Sequence, residues 1–102
     1  MAQHVPAKII FLGGTTYSVG AMLSEGADGW RLDFHTGGEP IELMQEAWQA
    51  DRRLTVDVTA AEGFKSGEGR VEKVDRDSGE VTIRGLTPLS LSSSPRGRGP
   101  GR

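Results

Sequence analysis

Arg31, Asp33 and His35 occupy alternate positions of the segment 30–36, and alternation places side chains on one face of a strand. In that setting a carboxylate can orient an imidazole while a nearby guanidinium receives an anion. Those are the beginnings of a general-base site or of a ligand surface. A catalytic centre would also need a nucleophile. The chain has no cysteine, and no serine or threonine stands in a recognisable nucleophile setting. Alternating charges on an exposed strand face also follow from solubility alone. No catalytic residue is therefore expected, and Arg31 and His35 are retained as binding residues.

A second candidate is Gly13-Gly14-Thr15-Thr16, followed by Tyr17. Backbone amides and hydroxyls in such a run can face a phosphate, but a P-loop needs a lysine and a following helix, and a dinucleotide fingerprint needs three spaced glycines. A turn between strands accounts for the run more simply. Phe64 and Lys65 lie in a second glycine-rich stretch, where an aromatic ring and a cation beside a loop suit recognition. Metal chemistry finds little support. The only histidines are His4 and His35, and no metal-binding spacing contains them. The run Asp75-Arg76-Asp77-Ser78-Gly79 is superficially like a calcium loop, but Arg76 and the missing downstream glutamate argue against one. No metal and no cofactor are expected.

The elements that position these residues are mainly strands. The clearest is a hairpin over 69–86. Val71 and Val74 stand on one arm, Val81 and Ile83 on the other, with turn chemistry between them and Gly79 supplying a positive φ. Val71 and Val74 are three apart, so they share a face only if a bulge intervenes. The hairpin arms resemble a segment of small periplasmic copper-binding proteins with the OB fold. The likeness covers the hairpin alone, and the His, Met and Trp ligands that family would place after Leu86 are absent. The resemblance implies a shared hairpin and carries no metal site.

Upstream, 7–12 reads as a strand with apolar residues on both faces, 17–23 as a second strand, and 30–36 as a third with Trp30, Leu32 and Phe34 inward. Pro40 fits the first position of a short helix over about 40–51, whose stripe is Ile41, Met44 and Trp48, widened by Leu43 and Ala47. Leu54, Val56 and Val58 define a fourth strand, and 62–69 reads as a glycine-rich connection. The order β-β-β-α-β-β-β gives a mainly β protein. A small closed or partly open β-barrel, OB-like or SH3-like, buries six one-sided strands better than one helix can. The expected organisation is a flexible arm over 1–6, a single barrel domain over 7–88, and a disordered Ser/Pro/Gly/Arg tail over 89–102.

Composition narrows the partners. Fifteen glycines among 102 residues favour short strands and tight turns. The net charge is −2, but Arg96, Arg98 and Arg102 are basic and the rest of the chain stands at −5, from nine basic and fourteen acidic residues. An acidic body is poorly suited to duplex nucleic acid. The longest apolar run, 9–12, is shorter than a signal-peptide core or a membrane span, which predicts a cytoplasmic protein without membrane contact. By subtraction the expectation is a non-enzymatic binding module acting through protein–protein recognition or self-association, as an adaptor, structural or inhibitory subunit. Its recognition loops would be 13–17 and 63–69, with Arg31 and His35 next. An OB-like barrel binding single-stranded nucleic acid is one alternative, since such barrels stack bases on aromatic rings in a basic groove. A small-ligand regulatory domain is another. The electrostatic question is whether Arg31, Arg52, Arg53, Lys65 and Arg70 converge on one face.

Overall fold

Alternation of apolar and polar residues sets the architecture, because each strand hides every second side chain. The computed structural model describes residues 2–11, 13–60 and 63–92. Its elements are β1 (Ala2–Ile10), β2 (Thr16–Gly26), β3 (Gly29–His35), α1 (Gly38–Ala50), β4 (Arg53–Ala60), β5 (Gly63–Asp75), β6 (Glu80–Gly85) and β7 (Ser90–Ser92). Six strands close into an antiparallel barrel in the circuit β1-β2-β3-β6-β5-β4, with β4 returning to β1. The short β7 adds to β5 beside Phe64, Lys65 and Ser66. The helix lies between the third and fourth strands, as in an OB barrel, but this barrel has one strand more.

Ile9, Leu23, Leu32, Val56, Val81 and Ile83 are fully enclosed in the barrel, and Met44 is fully buried on α1. On β3 the expected division holds: Trp30, Leu32 and Phe34 face inward, Arg31 and His35 outward. The helix turns Ile41, Met44 and Ala47 toward the core. It begins two residues before Pro40, which therefore sits within the first turn, where its missing amide costs no intrahelical bond. Trp48 shares the angular stripe of Ile41 and Met44, yet the residue is 39 % exposed. A helical stripe gives direction only; it does not say how far along the helix the barrel extends.

Two expected segments are different in the structure. Residues 2–6 are no loose arm: β1 pairs with β2 from Ala2 to Ile10, and Val5 is buried. Pro6 hid this. Pairing of β1 with β4 begins only at Ala7, so Pro6 falls where β1 has a single described neighbour, a place where a strand tolerates proline. Along β1 the buried residues are Val5, Ala7 and Ile9, so one face is covered rather than both. Leu12 lies outside the described residues. At the other end, Ser90–Ser92 pair with β5 rather than joining a tail, and residues 93–102, including the three basic ones, lie outside the described residues.

A further correction is larger. Residues 63–69 are not a loop but the first half of β5, paired with β4 along its whole length. Gly67 and Gly69 are strand positions cleared of side chains. A Cβ at Gly69 would stand 2.8 Å from the Arg84 carbonyl and 3.0 Å from the Trp30 ring, and one at Gly67 would meet Leu89 at 3.1 Å. Glycine inside a strand marks such a close approach. Gly85 does the same from β6, since a side chain there would overlap the Trp30 indole nitrogen. That nitrogen donates to the Thr87 carbonyl at 2.7 Å.

Bringing Gly85→Ala into this space should cost about 1–3 kcal/mol, read as a lower urea midpoint. Gly20→Ala, at a β2 position with nothing within 4 Å of the added methyl, is expected to stay within about 0.5 kcal/mol of the parent. Equal effects would show that Gly85 is not a packing position.

Candidate functional site

Each candidate residue has a definite place. Gly13 and Gly14, at φ 99° and 96°, form the turn between β1 and β2. The Phe11 amide donates to the Thr15 carbonyl at 2.7 Å, and the Gly14 amide to the Phe11 carbonyl at 2.9 Å. The Gly14 amide is thereby spent on the turn instead of facing a phosphate. Thr15 and Thr16 are exposed beside it. Tyr17 is half-buried, packs against the core, and its hydroxyl meets the Thr36 hydroxyl at 2.7 Å. Thr36 also donates its amide to the Gly79 carbonyl at 2.8 Å, so β2, the end of β3 and the β5–β6 turn are tied together there.

Phe64 and Lys65 lie at the opposite end of the strands, near the start of β5. The structure does not bring them to the Gly13 turn. Phe64 is exposed, but the Lys65 side chain is only 12 % exposed and its ammonium pairs with Glu25 at 3.3 Å. Lys65 stands opposite Val58, an inward position, so it serves the barrel mouth rather than a loop surface.

On β3, Asp33 does not serve His35. Its carboxylate accepts the Thr82 hydroxyl at 2.7 Å, directly across the β3–β6 ladder, while His35 stands opposite Glu80. Arg31 is exposed and lies 3.8 Å from Glu72. The face is a row of outward side chains, and no imidazole–carboxylate pair is formed between His35 and Asp33.

The structure adds an arrangement that reading by segment does not reveal. Arg53 of β4 stands opposite Arg70 of β5, Arg70 opposite Arg84 of β6, and Arg84 opposite Arg31 of β3. Four arginines therefore form one cross-strand row on the outer wall, all with exposed side chains. With neighbouring strands ~4.8 Å apart, the row spans roughly 15 Å. Carboxylates sit among them. Glu68 pairs with Arg53 at 3.1 Å, Asp51 with Arg70 at 2.9 Å, and Glu72 lies 3.8 Å from Arg31 and 4.0 Å from Arg84. Asp51 reaches Arg70 from the end of α1, where it takes a left-handed conformation, φ 55°, in the position usually given to glycine. Of the five cations whose convergence was in question, Arg31, Arg53 and Arg70 share the row. Arg84 completes it in place of Arg52 and Lys65.

The Asp75 turn is explained by its own backbone. The Asp75 carboxylate accepts the amides of Asp77 at 3.0 Å and Ser78 at 3.3 Å. Among the described residues, no group of three or more His, Asp or Glu side chains converges to hold a metal ion, and no helix is long and apolar enough to cross a membrane. No family model, curated protein or solved structure matches the chain.

The amides of Ser78 and Asp77 hold the Asp75 carboxyl below its ordinary value of 3.8. A depressed folded pKa makes a contribution that is present above 3.8 and is lost as pH falls through the lower folded value. In acid titrations of stability, Asp75→Ala should remove part of the loss between pH 4 and the acid limit. A variant that follows the parent's acid limb would show that this turn does not contribute to it.

Proposed function

We propose that the chain is a non-enzymatic binding module of the cytoplasm that recognises another macromolecule, a protein, through the outer wall of its barrel. One observation carries this reading: Lys65 at the barrel mouth and Tyr17 apart, the candidate side chains are turned outward, while the enclosed lining is apolar. No polar or charged residue is buried among the described residues, whereas catalytic groups are commonly perturbed by burial in a cleft. The outer wall of β4, β5, β6 and β3 carries Arg53, Arg70, Arg84 and Arg31 with Asp51, Glu68 and Glu72 among them, and this convex surface suits contact over an area better than enclosure of a small molecule.

The protein reading stands ahead of single-stranded nucleic acid because stacking platforms are few. Trp30 and Phe34 are core residues, and the Tyr17 hydroxyl is engaged by Thr36. Phe64 and Trp48 are exposed, but neither belongs to the arginine row. Base stacking beside a cationic track is what sequence-tolerant strand binding requires. The small-ligand reading is weakened by the spread of its residues, since Gly13 and Lys65 lie at opposite ends of the barrel.

Size-exclusion chromatography with light scattering, together with affinity capture from the native cell extract, is expected to return a complex of fixed stoichiometry. The second component is either another copy or a distinct protein. A chain that stays monomeric and retains no protein overturns the reading. Loss of a small-molecule-dependent activity in Arg31→Ala and His35→Ala, with the fold intact by circular dichroism, would replace it.

A further inference from the structure

Arginines paired directly across a sheet are unfavourable neighbours, because like charges at opposed positions repel. This wall has three such pairs in succession: Arg53 with Arg70, Arg70 with Arg84 and Arg84 with Arg31. Glu68, Asp51 and Glu72 offset the repulsion, but every pair is solvent-exposed. Exposed ion pairs contribute little net stability and are readily exchanged for other anions. Threonine or valine at these positions would fill a strand with less repulsion. The row is thus better suited to receiving an anionic partner than to holding the barrel together.

We propose that the Arg53–Arg70–Arg84–Arg31 row is a docking strip for a carboxylate-bearing, extended segment of another protein, a proposal that rests on the binding-module reading above. Guanidinium groups take carboxylates in a planar, two-point geometry, and Arg is enriched at protein interfaces. A segment of about four or five extended residues covers the strip. Two observations favour a polypeptide over a phosphate chain. Asp51, Glu68 and Glu72 lie among the arginines, so a uniformly anionic polymer would meet three fixed negative charges along the same path. A partner of mixed charge can complement both signs. Beside the strip, Leu86 is 41 % exposed two residues beyond Arg84, its amide bonded to the Glu68 carbonyl at 2.8 Å. It offers an apolar contact next to the charges. Beneath the strip, Gly69 and Gly85, adjacent to Arg70 and Arg84, leave the space that the Trp30 ring occupies, so the strand backbones that carry these two arginines are packed closely on the core.

The test is fluorescence anisotropy of the full chain with a labelled acidic peptide of mixed charge, built of Glu-Glu-Lys repeats, and, separately, a labelled oligothymidylate, at low and high salt. The mixed-charge peptide should bind at low salt and weaken as salt rises. Arg70→Ala and Arg84→Ala should each reduce its affinity about two- to fivefold. Glu72→Gln, which releases Arg31 and Arg84, should raise it. Arg84→Thr should leave the melting temperature unchanged or higher. No binding of the mixed-charge peptide, equal binding by the parent and the Arg70→Ala/Arg84→Ala double variant, or a clear loss of stability in Arg84→Thr would overturn the proposal. Tighter arginine-dependent binding of oligothymidylate would also overturn it, making the row a phosphate surface. Failure here is separable from failure of the binding-module reading. A native partner captured equally by the parent and the double variant would keep that reading and place the interface elsewhere.

Discussion

The indole of Trp30 is the interaction on which the barrel's geometry turns. It enters from β3 and occupies space left by two glycines, Gly69 on β5 and Gly85 on β6. Its ring nitrogen is satisfied by the Thr87 carbonyl at 2.7 Å, so the largest side chain of the core carries no unpaired donor into the apolar interior. The same residue, Thr87, accepts the Glu68 amide on its hydroxyl at 2.8 Å, and the Glu68 carbonyl receives the amides of Leu86 and Thr87. One aromatic ring thereby fixes three strands and the chain that follows β6. A small barrel has few side chains with which to fill its interior, so a single large ring with a cleared berth does what several aliphatic residues would do in a wider one.

That clamp sets the pairing register, and the register sets the outer wall. From Asp75 opposite Glu80 to Lys73 opposite Thr82 the β5–β6 ladder is regular. Glu72 is then skipped, and pairing resumes with Val71 opposite Ile83. Were Glu72 paired in a regular ladder, Arg70 would oppose Gly85. With it skipped, Arg70 opposes Arg84 and the two glycines oppose each other against Trp30. The bulge therefore aligns the arginines outside and the cleared berth inside. It also leaves Glu72 positioned between Arg31 and Arg84. Bulges commonly re-aim side chains in this way.

Much of this was legible in the chain. The alternation of β3 and β4, the helix between them and the need for a bulge between Val71 and Val74 all follow from periodicity. What failed did so for identifiable reasons. Glycine at 67 and 69 has two physical uses, freedom at a turn and room for a neighbour, and sequence spacing does not distinguish them until Trp30 and Leu89 are in place. Pro6 suggested an arm because the one-sided pairing of β1 that accommodates it is a property of the sheet. Arg31, Arg53, Arg70 and Arg84 are scattered over 54 positions, from 31 to 84, and become neighbours only through pairing across four strands. The Lys65 cation looked available beside glycines, but strand parity turns it toward the barrel mouth and Glu25.

On this wall, core stability and surface charge separate, as a protein of this size allows. Apolar burial is concentrated inside, where Ile9, Leu32, Val56 and Ile83 lose all contact with solvent, and that term dominates folding. The outward positions of β3, β4, β5 and β6 are consequently released from any duty but solubility, which scattered charges of either sign would satisfy. Aligning one sign across four strands works against the sheet. Supplying three carboxylates at the flanks reduces that cost while keeping each guanidinium exposed. Asp51 makes the point most directly. A left-handed helix terminus is ordinarily served by glycine, and aspartate is among the few other residues that take it. That conformation closes the helix, with the Asp51 amide donating to the Trp48 carbonyl at 3.2 Å and the Arg52 amide to the Ala47 carbonyl at 3.0 Å, and it leaves the Asp51 carboxylate 2.9 Å from Arg70.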